Sequence, residues 1–121
     1  MKKKILIVED EVFIAKALEM DFEDKGFDVI GISSDFNDTI SMIKESKPDI
    51  VITDVNLRST KDGIDIAKWI NNFDCDTSVI FMTGYNDDVL SNRIKEVQHL
   101  GILQKPLNMN DVMYIVEQKS K

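Results

Sequence analysis

The chain has 121 residues, 43% of them hydrophobic, which suits one domain with a buried core and excludes global disorder. Its 22 Asp and Glu against 15 Lys and Arg leave a formal net charge of −7, which argues against a basic nucleic-acid-binding face and against attraction to an anionic membrane surface. One cysteine, Cys75, excludes an internal disulfide and points to a reduced, cytoplasmic setting.

Lys2-Lys3-Lys4 precedes the apolar run Ile5-Leu6-Ile7-Val8, a first strand. That run stops at Glu9-Asp10-Glu11, too early for the core of a signal peptide, and no stretch reaches membrane-spanning length. Ile14, Leu18 and Phe22 then repeat at helical spacing with Ala17 beside them, which predicts an amphipathic first helix, and Gly26 suits the residue just past its end. Phe27 to Ile32 reads as a second strand. Ser33, Ser34 or Asp35 can cap a second helix that turns Phe36, Ile40 and Ile43 inward. Pro48 ends that helix and biases Lys47 toward extended geometry.

Asp49 to Thr53 reads as a buried third strand that ends in Asp54. Asn56 to Lys61 is a polar loop, and Asp62-Gly63 leads into a third helix carrying Ile66, Ala67, Trp69 and Ile70. Asn71 to Asp76 is expected to turn. The fourth strand, Ser78 to about Met82, ends in Thr83-Gly84. Asn86 or Asp87 can cap a fourth helix with Val89, Leu90, Ile94 and Val97. A short fifth strand, Gly101 to Gln104, stops at Lys105-Pro106. Asn108 or Asn110 opens a last helix with Val112, Ile115 and Val116.

Strict alternation of strand and helix predicts an α/β domain, a doubly wound five-stranded parallel sheet with helices on both faces. Sheets of this kind work at the C-terminal ends of their strands. Glu9, Asp10, Asp54, Thr83 and Lys105 all fall there. Alone, each has an ordinary reading, such as acids favouring a helix start; their coincidence at one edge is what calls for chemistry.

Three carboxylates crowded at two adjacent strand ends repel, by ~1 kcal/mol per pair in water and more near protein. A hard divalent cation resolves the conflict, and Mg²⁺ accepts a partial cage of carboxylate and carbonyl oxygens. Zinc is not expected, because His99 and Cys75 are solitary. Lys105 supplies an ammonium that can pair with the acids or meet an arriving phosphoryl group. Thr83 supplies a hydroxyl, and Gly84 leaves its N–H open to an anion. Such a set stabilises charge on a transferring phosphoryl group, with Asp54 as the nucleophile that becomes an acyl phosphate.

The motifs Val8-Glu9-Asp10-Glu11, Ile52-Thr53-Asp54-Val55-Asn56-Leu57, Asp62-Gly63, Phe81-Met82-Thr83-Gly84 and Gln104-Lys105-Pro106 together make the chain resemble the receiver domain of two-component response regulators, of the chemotaxis-regulator kind. The resemblance runs over residues 1–121 and implies a single receiver domain with a flavodoxin-like sheet of order 2-1-3-4-5 and no output domain in this chain. It implies phosphoryl transfer to Asp54 from a histidine kinase or phosphotransfer protein. It implies Mg²⁺ held by Asp10, Asp54 and the backbone carbonyl of Asn56, with Glu9 acting through water. Thr83 would be the switch hydroxyl, Lys105 the phosphoryl partner, and the Lys105–Pro106 bond cis.

Some positions depart from the family pattern. Ile102 stands where an aromatic is common, three residues before the lysine, so readout is expected to rest on backbone shifts near Thr83 and Ile102. Leu57-Arg58-Ser59-Thr60-Lys61 replaces a common Met-Pro, and Asp21 and Lys25 replace residues that are often apolar. Tyr85, two residues past Thr83, reads first as a partly exposed loop aromatic, with shielding of the phosphoryl group from water as the alternative that the resemblance offers. Val12, Phe13 and Ala15 form an expected kinase-docking patch. The fourth helix, fifth strand and last helix form the expected output face toward a downstream domain or protein.

Two other functions compete. A Mg²⁺-dependent small-molecule phosphohydrolase also uses a strand-end Asp, but it needs a second acid where this chain has Asn56. A flavin-binding electron carrier needs a phosphate loop where this chain has Glu9-Asp10-Glu11.

Overall fold

The protein is described by a computed structural model covering residues 2–57, 61–73, 76–84 and 92–119. Five strands, β1 (Lys4–Val8), β2 (Asp28–Ser33), β3 (Ile50–Asp54), β4 (Ser78–Thr83) and β5 (Gly101–Gln104), form one sheet. Its order is β2-β1-β3-β4-β5 and every pair is parallel, as expected. The helices α1 (Val12–Asp24), α2 (Phe36–Ser46), α3 (Gly63–Phe73) and the C-terminal helix (Met109–Lys119) connect or follow the strands, and residues 92–94 are also helical. Among the described residues no helix is long and apolar enough to cross a membrane.

The strands sort their side chains by alternation. Leu6, Val8, Val51, Val79 and Phe81 point to one face, where Ile40, Ile43, Ile64, Ala67, Ile70, Ile94 and Val97 cover them. Ile5, Ile7, Ile50, Ile52, Ile80 and Met82 point to the other, under Leu18 and Phe22 of α1 and Val112 and Val116 of the C-terminal helix. Both faces being covered explains why β3 is buried at all five residues and reads as a continuous apolar run.

Several local expectations need correction. The buried stripe of α1 is Ala15, Leu18 and Phe22. Ala17 is exposed, and Ala15 cannot be part of a docking patch because it faces the core. The two alanines are two residues apart and so face nearly opposite sides of the helix, and alanine is too small to reveal from sequence which side turns inward. Lys47 adopts a left-handed conformation (φ 47°) instead of an extended one, because it caps α2 and donates its N–H to the Ile43 carbonyl. Residues 71–73 belong to α3, so the expected turn starts later. The caps are Asp35, whose carboxylate accepts from the Asp38 N–H, and Asn108, whose side chain accepts from the Asn110 N–H. Arg58, Ser59, Thr60, Cys75, Tyr85, Asn86, Asp87, Val89 and Leu90 lie outside the described residues.

Gly26 follows α1 at φ 90°, and a side chain there would meet open space. The cost of Gly26→Ala is therefore conformational alone. It is expected to destabilise by about 1 kcal/mol, seen as a lower urea midpoint at unchanged slope.

Candidate functional site

β1 and β3 are adjacent, so their C-terminal ends deliver acids to one place. Glu9 extends the ladder past β1 by donating its N–H to the Ser33 carbonyl at 2.9 Å, and its side chain is buried. Its Oε1 accepts from the Glu11 N–H at 3.2 Å. Asp10 follows, half-buried. Asp54 closes β3 and is 8% exposed. Its Oδ1 accepts from the Asn56 N–H at 3.0 Å. Carboxylate oxygens of Glu9, Asp10 and Asp54 all lie within 4.8 Å of one another.

Lys105 comes in from the end of β5. Its Nζ donates to Asp54 Oδ2 at 2.6 Å and to Glu9 Oε2 at 2.7 Å. The Lys105 N–H donates to the Thr83 carbonyl at 2.9 Å, which holds the lysine backbone beside the end of β4. The Lys105–Pro106 bond is cis, as expected. Thr83 closes β4 one residue past Met82, the register partner of Asp54. Gly84 lines the same opening, an exposed cavity of about 510 Å³ shared by Asp10, Asp54, Asn56 and Lys105. Size does not single this cavity out, since one of about 540 Å³ opens at the opposite edge of the sheet beside Lys44 and Phe73. The buried acids do.

The electrostatics follow from burial and charge. Burial pushes the Glu9 carboxyl above its ordinary range, against the hydrogen bond and charge of Lys105, and the charge of Asp54 adds to the rise. Burial alone would lower Lys105, but its hydrogen bonds to Asp54 and Glu9 outweigh that, so it stays charged above its ordinary range. One ammonium among three carboxylates leaves the cluster net negative. An all-oxygen donor set with excess negative charge fits a hard divalent cation such as Mg²⁺.

Every acid and the lysine expected at this edge are brought together there, and Thr83 stands at the adjoining strand end. Two further contacts are not foreseen from the sequence. Gly63 starts α3 so close to β3 that a Cβ on it would lie 2.3 Å from the Asp54 carbonyl oxygen. Its N–H donates to the Val55 carbonyl at 3.1 Å. Arg93 reaches Asp62 from 31 residues away and donates from Nη1 to Asp62 Oδ2 at 2.8 Å. The Asp62-Gly63 pair was a visible signal for the first; nothing local signals the second.

Of the surface expectations, Val12 (67%) and Phe13 (91%) are exposed in the first turn of α1. On β5 and the C-terminal helix, Ile102 and Tyr114 are exposed.

Comparison with known proteins agrees with this geometry. The family model for the response regulator receiver domain matches residues 5–117. The transcriptional regulatory protein PdtaR of Mycobacterium tuberculosis is 27% identical over 115 residues, 95% of this chain and 55% of that protein. The phyllosphere-induced regulator PhyR of Methylorubrum extorquens is 31% identical over 120 residues, 98% of this chain and 43% of that protein. The chain thus spans about half the length of these curated relatives. Among solved structures, the signal receiver domain of a modulated diguanylate cyclase from Desulfovibrio desulfuricans superposes with a TM-score of 0.90 at 28% identity, covering 98% of this chain and 93% of that one.

Proposed function

We propose, because this chain belongs to the response regulator receiver domain family, that it is a phosphoacceptor switch in which Asp54 takes a phosphoryl group from the phosphohistidine of a histidine kinase or phosphotransfer protein. The carrying observation is Lys105 bonded to both Glu9 and Asp54 inside a cluster of three carboxylates. An Asp54 carboxylate oxygen attacks phosphorus, the P–N bond of the donor breaks, and its electron pair returns to the imidazole. The product is an aspartyl phosphate, later hydrolysed at the same site.

The roles divide among the residues at the edge. Asp10, Asp54 and the Asn56 carbonyl would hold Mg²⁺, with Glu9 in support through water. Bound there, the ion supplies positive charge against the phosphoryl oxygens. Lys105 exchanges its bond to Asp54 Oδ2 for one to a phosphoryl oxygen, and the Thr83 hydroxyl donates to another. Glu9 stays paired with Lys105 and keeps the ammonium aimed. Val12 and Phe13, exposed at the start of α1, are the docking patch for the donor protein. The face around residues 92–97, β5 and the C-terminal helix is the output surface, toward a partner domain or protein. The setting is cytoplasmic and the module is a signalling switch that acts on its own acyl phosphate. A phosphohydrolase acting on small esters has no support here, since the position for its second acid is Asn56, whose carboxamide side chain does no acid–base work.

Incubation with Mg²⁺ and acetyl phosphate, read by intact mass, tests the proposal. One added phosphoryl group is expected, absent when the metal is chelated. No adduct under any phosphodonor, or an adduct indifferent to Mg²⁺, would count against it.

A further inference from the structure

A side-chain bond ties the start of α3, which follows β3 in the chain, to residues 92–97, which follow β4. Asp62 immediately precedes α3 and is fixed to it: its Oδ1 accepts from the N–H groups of Ile64 at 3.0 Å and Asp65 at 3.2 Å, while Asp65 Oδ2 accepts from the Asp62 N–H at 2.9 Å. Arg93 is the other partner. It spans the Asp62 carboxylate with both terminal nitrogens, Nη1 to Oδ2 at 2.8 Å and Nη2 to Oδ1 at 3.4 Å. A forked guanidinium on a carboxylate fixes direction as well as distance.

The inner end of this tie is rigid. Gly63 sits against the Asp54 carbonyl with no room for a methyl group, and its N–H is bonded to Val55. Movement of the Asp54 backbone must therefore displace the start of α3, and Asp62 moves with it. The outer end is anchored too. Ile94 and Val97, on the same segment as Arg93, are buried against the sheet with Val79 and Phe81. Displacing Asp62 pulls on a packed segment and not on a free side chain. Packed elements of this kind shift between discrete arrangements.

We propose that the Arg93–Asp62 ion pair is the link by which the state of Asp54 reaches residues 92–97. The inference rests on the phosphoacceptor reading and gives it a relay. By reciprocity, whatever binds or moves residues 92–97 feeds back on Asp54 through the same pair.

The test uses ¹⁵N-labelled protein with Mg²⁺ and beryllium fluoride as a phosphoryl mimic, comparing the unaltered chain with Arg93→Gln and Asp62→Asn. The second variant retains an oxygen that can cap α3. In the unaltered chain, amide shifts are expected at Asn56 and Gly63 and at residues 93–97. In both variants the shifts at Asn56 and Gly63 should persist, while those at 93–97 should fall by about twofold or more, with Arg93→Lys intermediate. Undiminished shifts at 93–97 in both folded variants would overturn the relay. Loss of the Asn56 and Gly63 shifts in the variants would also overturn it, making Arg93 a support for the binding loop instead. No response at Asn56 or Gly63 in the unaltered chain would sink the phosphoacceptor reading itself.

Discussion

Replacing Lys105 with methionine is expected to destabilise the protein by about 3 kcal/mol at neutral pH, because it leaves buried carboxylates without their counter-charge. Glu9 and Asp54 are both nearly inaccessible, and Lys105 bonds each of them at 2.7 Å or less. The loss should depend on pH in a definite direction. Burial already raises Glu9 above its ordinary 4.5, and Lys105 works against that rise. Without the ammonium, Glu9 is raised further, so the folded state binds its proton more tightly than the unfolded state does. Stability of the variant therefore falls as pH rises from 4.5 through the folded value. The deficit should be small near pH 4.5 and largest above neutrality. Lys105 itself is raised in the fold, so in the unaltered chain its contribution is complete below 10.5 and lost as pH climbs past its folded value. Urea unfolding across a pH series reads both effects. The variant should also accept a phosphoryl group at least about tenfold more slowly, having lost a positioned cation. A deficit that stays flat with pH would mean that Lys105 does not govern the charge of Glu9.

Gly63→Ala should be the second most damaging single change, and for a reason opposite to helix propensity. Alanine is preferred over glycine within helices by roughly 1 kcal/mol, so an exposed site at the start of α3 would gain or stay neutral. Here the new Cβ would stand 2.3 Å from the Asp54 carbonyl oxygen and 3.1 Å from its carbon. Both are backbone atoms, and neither can rotate away. The start of α3 or the end of β3 must move, which costs about 2–3 kcal/mol as overpacking. Because the atom displaced is the backbone of the nucleophile, phosphorylation should slow along with the loss of stability. Gly26→Ala separates the two mechanisms, since it carries conformational strain with open space around it and lies far from Asp54 in the fold. Its cost should leave phosphorylation unchanged. A neutral Gly63→Ala would show that the β3–α3 connection yields freely, and would weaken the relay through Asp62 as well.

What could be read from the sequence and what could not divides along physical lines. The strands were legible because both faces of a covered parallel sheet demand apolar residues, and runs such as Ile50-Val51-Ile52 have few other readings. The site was legible because each strand end breaks such a run with a charge or hydroxyl, and the sheet order then makes those ends converge. Side-chain facing on α1 was not legible: Ala15 and Ala17 carry the same weak signal, and only packing against the sheet selects Ala15. Lys47 illustrates a contest between two local rules. The residue before a proline is biased toward extended backbone, but the need to satisfy the Ile43 carbonyl at the end of α2 prevails. The Arg93–Asp62 pair joins residues 31 apart, so no periodicity or spacing encodes it, and the Asp62-Gly63 pair marks a helix start without showing how closely Gly63 approaches the Asp54 carbonyl. At Ile102, where the family pattern commonly has an aromatic, the side chain is 44% exposed on β5. Its register partner Phe81 packs with Ile94 and Val97, so Ile102 shares its sheet face with the segment that carries Arg93.

The central claim is that the phosphoryl group goes to the Asp54 carboxylate. Reduction with borohydride after phosphorylation, followed by peptide mass analysis, tests it most directly, because an aspartyl phosphate is reduced to homoserine whereas an ester on a hydroxyl or a phosphohistidine is not. The prediction is homoserine at position 54 alone, dependent on Mg²⁺ and lost in Asp54→Asn. Phosphate retained on Thr83 or His99, or homoserine at Asp10 in place of Asp54, would contradict it.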